Sequence, residues 1–446
     1  MKEASTEEII LPRENYLSKK SRFLLWSCFI IPMCILLAVI IYIIFSRIHA
    51  TFYFIDDNSS IETTVTPEQS TKTTRRQLIT TKAATTSNPN TISRAIPCNP
   101  MKFSNYSSYS YGVNPWAISS GYLDEDCYLD IVVGSQGDEY FAFYYGNENG
   151  TFQSTINHTA SKSHFLMIKD MNNDNKLDIV ATLFETDSIG IIINYGNRSF
   201  SSLKQYPVGN YDVHYNPYWL DVSDFNNNSL MDVVVVNDHD SSITVFYDYH
   251  NLSFSYSHMH QAGHDCTAVS VADFNKDSYI DFVVTDYSDN TISIYINEGN
   301  GLFKPRKAYS AGITPWGVKV ADFNNDSFID IVTANYAVGM ISILFNDGGG
   351  HFYKRDSYYI NGLAVTIALA DLNNDTFLDI MAVTEGDGFI YILLNNQDGT
   401  FLEYQKIPTD TGLVALTVGD FNNDRKIDIA AGSDDTGNLN ILLNQC

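Results

Sequence analysis

Between residues 316 and 360 the chain alternates in character. WGVKVADF (316–323) and MISILFN (340–346) place apolar side chains at roughly every second position. DIVTANY (330–336) opens on a short apolar run, and HFYKRDSYYI (351–360) is a fourth extended stretch. Gly, Asn and Asp cluster between them. Period-two stretches bounded by turn residues predict strands, so this segment predicts four antiparallel strands joined by tight turns. The pattern returns along the chain, marked by a nine-residue acidic loop, DFNNDSFID at 322–330. The last aspartate of the loop recurs as Asp130, Asp178, Asp232, Asp281, Asp330, Asp379 and Asp428, at intervals of 48, 54, 49, 49, 49 and 49 residues. A regular period near fifty predicts one copied unit, the blade of a β-propeller. A single blade cannot bury both faces, whereas seven stacked around an axis can.

The ends of the chain predict how the ring closes. The last unit stops at NILLNQC (440–446), after its third strand. The missing strand stands at the front, where Lys102, Phe103 and YSYG (109–112) match Leu302, Phe303 and YSAG (309–312). Matching Phe103 to Phe303 puts Cys98 at the place of Glu298. Matching the acidic loops puts Cys446 at the place of Gly299. The two cysteines therefore meet in the one turn that the chain ends interrupt, which predicts a disulfide between Cys98 and Cys446. Cys127 and Cys266 fall three units apart and are expected unpaired.

Before the repeats the pattern changes twice. Residues 23–45 are 23 consecutive positions without a charge. As a helix they would rise about 35 Å, enough to cross a bilayer, and longer than the core of a signal peptide. Arg13, Lys19, Lys20 and Arg22 precede the stretch and only Arg47 follows closely. The positive-inside rule then gives a signal anchor with residues 1–22 in the cytosol and everything beyond it outside the cell, a type II arrangement at the cell membrane. Residues 46–97 read as an extracellular stalk. Its 58–97 part holds 11 Thr and 5 Ser with few apolar residues, a composition that cannot build a core. Residues 98–446 are the repeat domain. Asn105, Asn149, Asn157, Asn197 and Asn251 head glycosylation sequons, as expected of a secretory-pathway glycoprotein.

Charge separates these parts. Residues 1–97 carry 11 basic and 8 acidic residues, and residues 98–446 carry 16 and 44. So acidic a body argues against a nucleic-acid partner, whose phosphates need Lys and Arg. Twenty of the 44 acids are Asp at ligand positions of the seven loops, where oxygens at positions 1, 3, 5 and 9 have the spacing of a Ca²⁺ site. Five loops are complete: Asp170, Asn172, Asp174 and Asp178; Asp273, Asn275, Asp277 and Asp281; Asp322, Asn324, Asp326 and Asp330; Asp371, Asn373, Asp375 and Asp379; Asp420, Asn422, Asp424 and Asp428. The first loop has Tyr122 at position 1 and keeps Asp124, Asp126 and Asp130. The third has Asn228 at position 5, beside Asp224, Asn226 and Asp232. Both are expected to bind metal more weakly. The competing reading is a metal-free turn whose carboxylates accept backbone N–H groups.

The loop D-F-N-N-D-x-x-x-D, flanked by D-I-V-V-type strands and by N-x-G-x-F turns at 299–303, 349–352 and 398–401, resembles the FG-GAP/VCBS repeats of the integrin α-subunit propeller. The resemblance covers about residues 98–446. It implies an all-β, seven-bladed propeller, Ca²⁺ in the loops joining the first two strands of each blade, and a ligand face on the opposite side. The family's loops usually carry Gly at position 6. Here that position holds Cys127, Asn175, Ser229, Ser278, Ser327, Thr376 and Arg425. On the implied ligand face lie Trp116, His164, Tyr218, Trp219 and Trp316, with Asp138, Glu139, Asp187, Asp238, Asp240, Asp289, Asp387, Asp434 and Asp435 around them. Each Trp equally fits a role in packing against the next blade. The chain lacks a G-x-S-x-G elbow and an H-E-x-x-H motif. The expectation is therefore a non-enzymatic recognition or adhesion protein for an extracellular protein or glycan. A lectin is the alternative, and a membrane-anchored hydrolase is a further one.

Overall fold

The computed structural model describes residues 100–446 except 113, 154–155 and 210–212. They belong to one compact unit, Ile92–Cys446. The apolar segment 23–45, the stalk and Cys98 lie outside the described residues. Among the described residues no helix is long and apolar enough to cross a membrane.

Seven four-stranded antiparallel sheets follow one another. Blade 1 is Ala117–Gly121, Asp130–Gly134, Tyr140–Tyr144 and Ile156–Thr159, in spatial order. Blade 2 begins at Leu166–Lys169, blade 3 at Pro217–Ser223, blade 4 at Cys266–Ala272, blade 5 at Pro315–Ala321 and blade 6 at Leu363–Ala370. Blade 7 takes three strands from the end of the chain, Leu413–Gly419, Asp428–Ser433 and Asn438–Leu442, and its fourth, Ser107–Ser110, from the front. Ser107 pairs with Ile441 and Ser110 with Asn438. The closure expected from the sequence is thus present.

Strand character follows depth. Second strands such as Asp330–Asn335 are buried along their whole length, because neighbouring blades cover both faces. The outermost strand of blade 3, Tyr256–Gln261, is almost wholly exposed and mixes polar residues with Tyr256 and Met259. Seven hydrophobic clusters make the core, one between each pair of adjacent blades. The cluster between blades 7 and 1 joins Phe421, Ala430 and Ile441 to Ile118, Ile131 and Phe152. The core is therefore a ring of interfaces, each stabilised by apolar area removed from water.

The motif residues fasten these interfaces. The residue at loop position 2 is buried in every blade. Where it is Phe, it meets edge-on the Phe of the following blade's turn between strands three and four: Phe225 with Phe303, Phe274 with Phe352, Phe323 with Phe401 and Phe421 with Phe152, at 5.6–5.8 Å. In those turns Gly399 adopts φ +81°, and a Cβ there would lie 3.0 Å from the Asn324 Cβ of the preceding loop. A side chain at this position would thus be driven into the loop of the preceding blade.

Candidate functional site

The acidic loops all join first to second strands, as implied by the resemblance. Loop 5 shows the local logic. Asp330 is fully buried. Its Oδ2 accepts the Phe323 N–H at 3.2 Å and its Oδ1 the Asn346 N–H at 2.9 Å. Asp322 accepts the N–H groups of Asp326 at 3.1 Å and Ser327 at 2.7 Å. Asn324 and Asp326 each accept the N–H two residues on. Position 6 is left-handed in six loops, with φ between +64° and +78° at Asn175, Ser229, Ser278, Ser327, Thr376 and Arg425. Cys127 of the first loop does not adopt it.

Burial, with like charge from the other loop carboxylates added, pushes the terminal aspartate up to about 7 in Asp330 and its equivalents and to about 6 in Asp178. A buried carboxylate surrounded by acids calls for a cation or a proton. The donor set, hard oxygens from Asp and Asn, suits Ca²⁺ rather than a thiophilic metal. Two loops depart from the pattern in ways the sequence reading missed. Asp124, Asp126 and Asp130 are the one set of three carboxylates gathered within 4.8 Å among the described residues, and Arg198 reaches them from blade 2. In loop 3, Asp248 Oδ1 receives the amides of Asn226 at 2.7 Å and Asn228 at 2.6 Å. Asp248 brings back a carboxylate next to Asn228, which stands where other loops carry Asp.

At the opposite end of the first strands, aromatics from several blades converge. The residue 14 positions before the terminal aspartate is Trp116, His164, Tyr218, Thr267, Trp316, Val365 and Val414 in blades 1 to 7. His164 stacks on Tyr218 at 4.2 Å and meets Trp116 at 6.4 Å. Tyr218 meets Trp316 at 5.6 Å, and Trp316 lies 5.2 Å from Tyr336. Thr267 is small enough to let Trp316 reach past blade 4, and its hydroxyl donates to the Trp316 carbonyl at 2.8 Å. Burial holds the His164 imidazole down at about 4. Trp219 stacks on Phe165 at 4.0 Å.

Trp116, His164, Phe165, Tyr218, Trp219 and Trp316 line a cavity of about 350 Å³ between the first strands, walled by small or aliphatic residues such as Ala368, Val414 and Ala415 on blades 6 and 7. Lys319 lies among the lining residues, its ammonium 5.8 Å from the Trp219 ring centre. Desolvation lowers its pKa, opposed by Asp221. Asp221 is itself held by the N–H groups of Val222 and Val271.

The rim acids are mostly committed to the scaffold. Asp187 accepts from Tyr215, Asn216 and His214, and Asp289 from the His264 backbone and ring. Asp238 accepts from Asn216, Asp240 from Ser242, and Asp387 from Thr384 and Tyr391. Asp434 differs: its Oδ1 is buried without a hydrogen-bond partner.

Cys127 and Cys266 are free, as expected. The Cys446 sulfur accepts the Lys102 N–H at 3.1 Å, four residues beyond Cys98.

Seven antiparallel blades, acidic loops on one face and an aromatic mouth on the other define a β-propeller of repeat type. The FG-GAP-like repeat model matches residues 170–235, 224–284, 273–333, 322–382 and 371–431, and the chain belongs to that family. No curated protein matches it. Among solved structures it is similar to BBS1N from its complex with ARL6DN, at 12% identity and TM-score 0.54 over 76% of this chain and 96% of that one. It is also similar to a streptogramin B lyase, at 14% and 0.54 over 76% and 98%. Virginiamycin B lyase from Staphylococcus aureus matches at 13% and 0.52 over 77% and 99%. Likeness at such identity speaks for the fold alone.

Proposed function

We propose that this chain is a cell-surface recognition protein. It presents the propeller outside a single-pass, type II anchor at residues 23–45 and binds its ligand at the aromatic mouth. The observation that carries the reading is the arc of Trp116, His164, Tyr218 and Trp316, drawn from four blades around a cavity. Aromatic rings with polar edges are the residues that recognition surfaces concentrate. Among the described residues the Lys319 ammonium has no hydrogen bond or ion pair, and it lies beside the Trp219 ring, which favours a ligand that carries an acidic group.

The lectin form of this reading rests on the aromatics of the mouth, Trp116 foremost, whose ring suits the apolar face of a sugar and stands beside the Asp434 carboxylate. Full-length protein on a glycan array, compared with proximity labelling on cells, separates a glycan from a protein ligand. Binding unchanged by both Trp116→Ala and Trp316→Ala, with folding intact, refutes the mouth.

The acidic loops are proposed as Ca²⁺ sites that stiffen the blades, with the five complete loops as the binding set. A calorimetric titration showing no Ca²⁺ uptake removes that assignment.

A further inference from the structure

Within the repeats, the turn between strands three and four carries a glycine that approaches the acidic loop of the preceding blade. Gly150, Gly350 and Gly399 all have positive φ, and the Cβ each lacks would fall 3.0–3.7 Å from the position 3 Asn of that loop. Blades 2 and 3 break this rule, with Arg198 two residues before Phe200 and Leu252 two residues before Phe254, at left-handed φ of +58° and +59°; of the two, only Arg198 brings a charge. A non-glycine residue pays a steric cost there.

The Arg198 side chain runs where the glycine contact points in other blades, into the loop of blade 1. Its Nε donates to Asp124 Oδ2 at 2.7 Å, and its Nη2 is 3.8 Å from Asp126 Oδ2. Its Nη1 donates to the Gln153 side-chain oxygen at 2.9 Å, and the guanidinium lies 4.0 Å over the Tyr145 ring. The Asp124 side chain is only 7% exposed beneath it. The loop it enters is the one that lacks an aspartate at position 1, and also the one whose remaining carboxylates are gathered closest.

We infer that the Arg198 guanidinium is a built-in cation that occupies the first acidic loop in place of a metal ion. A planar, permanently charged group can satisfy two carboxylates at once. Two departures from the repeat, Tyr122 in one blade and Arg198 in the next, then have a single explanation. Loss of one ligand is matched by arrival of a covalently attached counter-charge. This inference rests on the reading of the other loops as Ca²⁺ sites only for its metal arm.

The test uses the full-length chain and two readouts. First, melting temperatures are taken in chelator for wild type, Arg198→Met, Asp124→Asn and the double variant. Arg198→Met is expected to melt roughly 2–5 °C lower, with the double variant little worse than either single one. Additive losses, or an Arg198→Met protein that melts like wild type, overturn the proposal whether or not any loop binds metal. Second, Ca²⁺ stoichiometry is measured by calorimetry for wild type and for Tyr122→Asp combined with Arg198→Gly. If the wild type takes up Ca²⁺, that pair should bind one ion more per chain. Unchanged stoichiometry overturns the idea that Arg198 stands in for a metal. A wild type that binds no Ca²⁺ instead refutes the metal reading of the other loops and leaves the melting cycle to decide on Arg198.

Discussion

At position 6 of the acidic loop the chain accepts strain. Thr376 is β-branched and sits at φ +78°, a conformation that costs an L-residue about 1–2 kcal/mol and costs glycine little. Thr376→Gly is therefore expected to raise stability by about 1 kcal/mol, read as a higher urea midpoint. An unchanged or lower midpoint would show that the Thr376 side chain contributes something the glycine cannot. His164 gives a pH signature. Its folded pKa, about 4, lies below the ordinary value near 6.5. Between those values the unfolded chain holds a proton that the folded one does not, so stability falls as pH drops through that window. At pH 5 the loss from this group approaches ~2 kcal/mol, and His164→Phe should abolish that part of the acid sensitivity while matching wild type more closely at pH 8. Thermal melts of both proteins at the two pH values check it. The loop residues were legible in the sequence because repetition names them. Arg198 and Asp248 were not, because each matters only through a partner elsewhere in the fold. Arg198 meets Asp124 across 74 positions, a distance that no local motif spans.

The element that holds the ring together is the fastener between one blade's acidic loop and the next blade's third strand. Asn346 donates its amide to the Phe274 carbonyl of the preceding blade at 2.8 Å and to the Ile329 carbonyl of its own at 3.0 Å. Asn194, Asn297 and Asn395 repeat the same pair of bonds, and Asn444 makes the one to the preceding blade, at the Leu372 carbonyl. Blade 1 has Gly146 there and blade 3 has Asp248, so the junctions of blade 7 with 1 and blade 2 with 3 lack this staple. Asn346→Ala leaves two buried carbonyls unpartnered, and should cost about 2–3 kcal/mol in chemical denaturation. A loss under half of that would show that water replaces the amide. Strand number, order and loop placement could be read from periodicity, since burial on both faces demands apolar second strands such as 331–334. The aromatic mouth could be read only in part. Its row of positions is visible in the sequence, but that Thr267 leaves room for Trp316 to touch Tyr218 is a matter of packing.

For the whole molecule, the ring has one seam. Ser107–Ser110 pairs with Asn438–Leu442, and Phe103 bridges to Asn444. The backbone N–H groups of Ser104 and Gln445 donate across the same junction, to Leu443 and Lys102. The expected bond between Cys98 and Cys446 would cover this seam, and a closed loop of such length is worth about 4–5 kcal/mol in chain-entropy estimates. Cys446→Ser should therefore lower the melting temperature under oxidising conditions and change little once wild type is reduced. Two free thiols at these positions in the oxidised protein, found by peptide mapping, would remove the bond.

The same seam sets an order of events during synthesis. The strand that emerges first among the blades must wait for the one that emerges last, because its partner lies more than three hundred positions later. Contacts so distant in sequence form late, since a long chain segment must be ordered before they form. Until then blade 7 has no outer strand, and its third strand is an open edge that another chain could pair with. The nascent propeller is therefore most exposed to mispairing once Asn438–Leu442 has emerged, when its other blades are already folded.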